Sequence, residues 1–160
     1  LDWVVELNDQ WTLRINTGIG YLMDYSVQTL PGSSFQDFTG TNTIAANHTA
    51  SNTFPEWKAL TTIGVGFGPV NASVRWRYQH EMEDVTSVTT PATPGIGVDT
   101  YNLYDFVASY DVTSTWQLRL GITNLTDEGP VTVSSSQTGT DTSVFDVLGR
   151  SYYMGVRVRM

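Results

Sequence analysis

Apolar and polar residues alternate along most of this chain. Trp3, Val5 and Leu7 alternate with Asp2 and Glu6. Trp11, Leu13, Ile15, Thr17, Ile19, Tyr21 and Met23 alternate with Thr12, Arg14, Asn16, Gly18, Gly20 and Asp24, and only Leu22 is out of phase. The same two-residue step returns from Trp57 to Phe67, Val70 to Tyr78, Tyr104 to Tyr110, Trp116 to Ile122 and Tyr152 to Met160. Successive side chains of an extended strand point to opposite faces, so each stretch predicts a strand with one apolar and one polar face. That makes seven strands, several of them nine residues or longer. Globular strands have a mode of about 5–6 residues, whereas a tilted strand needs about 9–11 to cross a bilayer.

The connections are unequal, and short and long ones take turns. Asn8-Asp9-Gln10, Gly68-Pro69 and Asp111-Val112-Thr113-Ser114 are short. The stretches from Gln28 to Phe54, Glu83 to Val98 and Thr126 to Leu148 are long and rich in Thr, Ser, Gly, Asn and Pro, the chemistry of turns and loops. Three such loops argue against a compact soluble domain. Short turns at one end and long loops at the other are the rule in outer-membrane barrels. The expected fold is therefore all-β, an antiparallel meander of about seven long strands forming an arc of transmembrane β-barrel wall.

The placement of charge agrees. Seven of the eight Lys and Arg residues (Arg14, Lys58, Arg75, Arg77, Arg119, Arg157 and Arg159) fall on the polar face of their strand. A charge on a lipid-facing position near the midplane costs about 2–4 kcal/mol, although a soluble sandwich would also keep charge from its core. Trp3, Trp11, Trp57, Trp116, Tyr104, Tyr110 and Tyr152 gather toward strand ends, as girdle residues would.

Composition narrows the classes. Charged residues are 15% of the chain, against about a quarter in typical soluble domains, while aromatics reach 12%. A net charge of −8 leaves no basic surplus to neutralise phosphates, which argues against a nucleic-acid partner. The absence of cysteine removes disulfide staples, thiolate metal sites and a Cys nucleophile. No apolar run approaches the roughly 20 residues of a membrane helix. The opening L-D-W-V-V-E-L is already strand-like and lacks an initiator Met, so the expectation is a piece of something longer.

The second half resembles a known family through specific motifs. In "YNLYDFVASYDVTSTWQLRLGITNLTDEGPV", an Asp-containing strand and a short turn lead into a strand ending in Asn-Leu-x-Asp and then Pro, at Asn124, Leu125, Asp127 and Pro130. "DVLGRSYYMGVRVRM" carries Gly-Arg-x-Tyr-Tyr at Gly149, Arg150, Tyr152 and Tyr153, and "FPEWKALTTIGVGFGPVNASVRWRYQ" carries a Pro-x-Trp-Lys entry and a Trp-Arg-Tyr exit. These features resemble the last strands of TonB-dependent outer-membrane receptors, over residues 54–160 by motif and over 1–53 by pattern alone. Ending on Met160 departs from the family's usual aromatic terminus. The resemblance implies the C-terminal part of a barrel of about 22 strands, residues 1–160 being a partial barrel without the plug and the N-terminal strands.

It further implies a receptor for TonB-energised uptake of a scarce nutrient such as a siderophore, vitamin B12 or an oligosaccharide. The implied partners are outer-membrane lipid, the small-molecule nutrient, and the TonB complex acting through the missing N-terminal region. Short turns and Met160 would be periplasmic and the long loops external. Arg14, Arg75, Arg77, Asp105, Arg119, Arg157 and Arg159 would face the lumen. There the arginines either touch substrate or are solvated or paired with Asp105, Asp24 and Glu6. Phe35, Asp37 and Phe38 are candidate ligand contacts in an external loop.

Other chemistry is weakly supported. No Gly-x-Ser-x-Gly nucleophile elbow is present, so no catalytic residue, cofactor or metal is expected and the protein is not read as an enzyme. His48 and His80 lack a second His nearby. His80-Glu81-Met82-Glu83-Asp84 offers hard-cation ligands, but a solvated acidic loop base is the stronger expectation. Asn47-His48-Thr49, Asn71-Ala72-Ser73 and Asn124-Leu125-Thr126 match a glycosylation sequon that has no meaning in a bacterial outer membrane. Two alternatives stand beside the receptor. One is a secreted soluble β-sandwich module with its apolar faces packed together. The other is a small passive outer-membrane pore with an eighth strand within residues 30–54.

Overall fold

A computed structural model describes residues 1–28, 30–42, 53–92, 94–133, 139–142 and 144–159. His48, the sequon at Asn47 and the terminal Met160 lie outside the described residues. The strands are β1 (Asp2–Glu6), β2 (Trp11–Tyr21), β3 (Ser26–Val27), β4 (Gln36–Asp37), β5 (Thr41–Asn42), β6 (Trp57–Phe67), β7 (Val70–Gln79), β8 (Glu83–Asp84), β9 (Tyr101–Asp111), β10 (Trp116–Thr123) and β11 (Ser151–Val158). A single helical turn, α1 (Thr86–Thr89), is too short to matter for spanning.

Seven strands make one antiparallel sheet in the order β1-β2-β6-β7-β9-β10-β11, each beside the long strand that precedes it in the chain. These are the seven that alternation predicts. Leu22 is out of phase because β2 ends at Tyr21, so Met23 falls outside the strand. The three short connections are tight turns at one end of the sheet. In the first, Asn8 Oδ1 accepts from the backbone N–H groups of Gln10 and Trp11 at 2.9 and 3.0 Å. In the second, Gly68 takes φ +51°, a left-handed conformation that glycine adopts without a Cβ penalty. In the third, Thr113 Oγ1 accepts from the N–H groups of Thr115 and Trp116 at 3.2 and 3.0 Å. β1 and β11 are the two edges and do not pair with each other, so the sheet is open.

Register assembles the apolar stripes into continuous rows. Val5, Leu13, Val65, Ala72, Ala108, Leu120 and Met154 stand side by side. So do Trp3, Ile15, Ile63, Val74, Phe106, Ile122 and Tyr152. No described part of the chain covers these rows: Ile63 is 48% exposed and Met154 87%. The packing of apolar face on apolar face that a soluble sandwich requires is not found among the described residues.

Aromatic rings border the rows at both ends. Trp11 and Phe67 lie 4.5 Å apart at the turn end, in register with Tyr110, and Tyr21 and Trp57 lie 4.3 Å apart at the loop end. Ten residue steps at about 3.3 Å separate Trp11 from Tyr21 along β2, roughly 33 Å, which a tilt of about 40° reduces to roughly 25 Å, the height of an outer-membrane apolar band. The loop-end border drops from the row of Tyr21 to that of Trp76 and Tyr104, then to that of Tyr152. A level line crosses the register diagonally in this way when strands tilt. Trp3 is an exception to the girdle expectation: it stands opposite Ile15, in the middle of the band.

The described parts of the long connections are not loose loops. β3 and β4 form a hairpin within the first, and β5 pairs in parallel with β8, which joins the first connection to the second. Thr53 Oγ1 donates to Asp141 Oδ2 at 2.6 Å, joining the first to the third. Described residues 30–42, 53 and 54 add no strand to the main sheet, so the eighth wall strand of a small pore is not among them.

The main buried apolar cluster lies on the polar side of the sheet. Met82, Val98, Tyr101, Leu103, Val133 and Phe145 pack together, with Val131 and Val144 against them. The rings of Tyr101 and Phe145 meet edge-on at 5.1 Å. The third connection therefore folds back over the wall's polar face.

Candidate functional site

The polar face is a lattice whose rows follow from pairing. Gly20, Lys58, Gln79 and Tyr101 form one row, and Gly18, Leu60, Arg77 and Leu103 the next. Farther toward the turns come Asn16, Thr62, Arg75 and Asp105, then Arg14, Gly64, Ser73 and Val107. Arg119 and Arg157 continue the same face on β10 and β11, opposite Gly155 and Gln117 respectively. Arg14, Arg75, Arg77, Asp105, Arg119 and Arg157 thus share one face, with Arg159 in phase just beyond β11.

Their partners differ in part from those expected. Arg77 Nη2 donates to Asp105 Oδ1 at 2.9 Å, as anticipated. Arg159 meets Asp111 at 3.3 Å, Arg150 meets Asp127 at 3.6 Å, and Arg119 Nε donates to Gln117 Oε1 at 2.9 Å. Asp24 and Glu6 pair with no arginine among the described residues; Asp24 Oδ1 instead accepts from the Ser26 hydroxyl at 2.6 Å. The physical reason is position: Asp24 follows the end of β2 and belongs to the first connection.

The two motifs that carried the resemblance close on each other at the loop end of β10 and β11. Asn124 is fully buried and takes φ +55°, and Asp127 takes φ +58°, where Asn and Asp are tolerated better than most residues. Asn124 Nδ2 donates to Glu128 O and its Oδ1 accepts from Glu128 N, both at 2.8 Å. Its backbone N–H donates to Asp105 Oδ1 at 3.0 Å, which links the turn to Arg77. Asp127 Oδ1 accepts from Arg150 N at 2.9 Å. Gly149 takes φ +68°, and a Cβ there would stand 3.2 Å from that same carboxylate oxygen. Leu125 N donates to Tyr104 O at 2.6 Å, and Pro130 is exposed just after the turn. Tyr152 faces outward beside Ile122, and Tyr153 lays its ring over Gly121 on the polar face. These residues fasten both ends of the third connection to the wall.

The loop candidates separate. Phe35 is 67% exposed and Phe38 only 9%, so Phe38 is withdrawn from the surface. Asp37 is engaged by Thr39, whose backbone N–H donates to it at 2.8 Å. Hydrogen bonds from the Thr39 side chain and then its backbone hold the Asp37 carboxyl below the usual carboxylate range. A broad cleft of about 790 Å³ opens between the first and second connections, with Glu56, Glu81, Glu83 and Asp99 on its walls. In the His80 stretch Glu81 and Glu83 are exposed as expected, while Met82, at 4% exposed, belongs to the buried apolar cluster and Asp84, at 2%, to β8, which is paired with β5. His80 Nδ1 lies 2.8 Å from the Tyr78 hydroxyl, and no group of three or more potential metal ligands converges among the described residues.

Sequence reasoning missed Leu60, Tyr101 and Leu103, and with them Val133 and Phe145. The signal of Leu60, Tyr101 and Leu103 was available as apolar residues out of phase on the polar face near the loop end; Val133 and Phe145 lie in the third connection and had none.

One face of bare apolar rows, one cationic face and long connections at one end are the features of a segment of barrel wall. The model of the family described as "TonB dependent receptor-like, beta-barrel" matches residues 5–125. The chain belongs to that family, which is one of receptors rather than enzymes. The match takes in residues 5–53, which resemble the family by pattern alone, and stops before the Gly-Arg-x-Tyr-Tyr strand. The fold is similar to that of the siderophore receptor PiuA from Acinetobacter baumannii, with a TM-score of 0.58 and 19% identity over 98% of this chain. The chain spans 20% of that receptor's length. No curated protein sequence matches.

Proposed function

We propose that this chain is the C-terminal part of an outer-membrane receptor barrel, without the plug and N-terminal strands, whose intact form takes up a scarce nutrient with TonB-supplied energy. The observation that carries the reading is the division of one sheet into an uncovered apolar face and a face holding seven of the eight cations. Lipid is the solvent that stabilises such apolar rows. On this reading Arg14, Arg75, Arg77, Asp105, Arg119, Arg157 and Arg159 face the lumen, the three short turns are periplasmic, and the fastened connections form the external mouth. Phe35 is the exposed aromatic candidate for ligand contact there.

Siderophore, vitamin B12 and oligosaccharide are the ligand classes to compare. A ferric siderophore comes first, because the similarly folded Acinetobacter baumannii protein is a siderophore receptor. The test is uptake of labelled members of each class by Gram-negative cells with and without the intact gene, in TonB-competent and TonB-deficient backgrounds. Uptake of one class that needs both the gene and TonB is expected. Fractionation of the intact protein with soluble proteins, or unchanged uptake of all three classes on deletion, would overturn the proposal.

A further inference from the structure

A cavity of about 490 Å³ lies on the polar face where the third connection folds over it. Its floor is low because, of the β2 residues that line it (Gly18, Ile19 and Gly20), the two on the polar face are glycines. Nothing lies within 4 Å of a Cβ at either position, and neither takes a positive φ. Neither the backbone nor a close neighbour requires glycine there; the two glycines leave the floor of the cavity open.

The walls combine cationic and apolar groups. Lys58, the chain's single lysine, stands on one row and Arg77 on the next, with Leu60 beside them and Leu103 and Val144 closing the far side. Arg77 commits one terminal nitrogen to Asp105, but its Nε has no hydrogen-bond partner, and neither has Gln79 Nε2. Buried donors without acceptors are unfavourable and uncommon in native structures. Both side chains are only partly buried and line the cavity. The site is thus rich in donors and positive charge, in a chain of net charge −8.

We propose that this cavity is a seat for a small organic acid, a carboxylate carried on a flat apolar body. The carboxylate meets Lys58, Arg77 and Gln79, while the body lies over Gly18 and Gly20 against Leu60 and Leu103. The proposal rests on the receptor reading and narrows its ligand to an acceptor-rich anion. A carboxylate accepts from such donors with charge-assisted hydrogen bonds, which a neutral amide of the same shape cannot match.

The test is fluorine NMR of para-fluorobenzoate and of neutral para-fluorobenzamide, titrated against the intact protein that carries this chain, in detergent. Benzoate is expected to bind about tenfold tighter than benzamide, the ratio that one charge-assisted contact supplies, and added salt should weaken it. Lys58→Gln should abolish the preference and Lys58→Arg restore it. Gly18→Leu should block both probes while the protein keeps its strand spectrum, since open space surrounds that position. Equal binding of the two probes, or full benzoate binding by Lys58→Gln or Gly18→Leu, would overturn the proposal. Benzoate preference without any TonB-dependent uptake would uphold the seat and sink the receptor reading; uptake without the preference would do the reverse.

Discussion

On β9, Phe106 points out of the wall and Leu103 points into it, yet Leu103 is the one the chain buries. Leu103 and Tyr101 are each 4% exposed beneath Phe145, at 2%. Across the sheet, Ile63, Leu120 and Met154 stand bare in rows of like neighbours. Both faces hold apolar side chains, for different reasons. Tyr101 and Leu103 are withdrawn from water by a returning segment of the same chain. The outward ones are covered by no described part of the chain, and on the proposed reading their exposure is a contact surface for lipid.

Perturbing each face should separate these reasons. Phe145→Ala removes the ring that covers Tyr101, and a buried Phe→Ala change costs about 3–5 kcal/mol. Because that ring belongs to a connection, the loss should appear as fast hydrogen exchange in residues 124–150, with strands β6 to β9 unchanged. Leu120→Arg places a charge on the outward face and should cost about 2–4 kcal/mol in lipid. Arg119→Leu, one residue away on the other face, should cost under about 1 kcal/mol. Denaturant titration of the intact protein in lipid vesicles measures both, and equal costs would erase the distinction between faces.

The fastening of the third connection offers a smaller effect. Asn124→Ala loses the two side-chain hydrogen bonds to Glu128 and places Ala in a left-handed conformation, together about 2 kcal/mol. Asn124→Gly keeps the conformation and should recover part of it. Protease susceptibility between residues 124 and 150 reports the difference.

Smaller still is a pH effect at Asp37. Its carboxyl is held below the usual range by Thr39, so the folded form has the lower pKa. The stabilisation is complete above the unfolded value of about 3.9 and is lost as pH falls through the folded one. The β3–β4 hairpin should loosen in acid below that window while the wall does not, as read from amide signals of residues 25–39. Asp37→Asn should remove the pH dependence.

How much of this was legible in the sequence follows from the same contrast. The wall was legible because a two-residue step is the direct imprint of the pleat, and even the lapse at Leu22 marked where β2 stops. The packing of the connections was not. It depends on a few isolated side chains, Phe38, Val85 and Phe145, in stretches with no period to read. Of the site, the phase of the arginines was visible, but their partners depended on tertiary neighbours, so Arg159 meets Asp111 rather than Glu6 or Asp24. Asn124, Asp127 and Gly149 stood out as motif residues, while their left-handed conformations and mutual contacts emerged only in three dimensions.

The central claim is that the Trp116, Leu118, Leu120 and Ile122 face of β10 meets lipid. The chain contains no cysteine, so this segment gives a clean background for introducing single cysteines in turn at positions 116 to 122 of the intact protein in vesicles. A nitroxide label at each site then reports collision with oxygen, which concentrates in lipid, and with a water-soluble nickel chelate. Strict alternation is expected, with oxygen favoured at 116, 118, 120 and 122 and nickel at 117, 119 and 121. Uniform water accessibility, or alternation in the opposite phase, would contradict it.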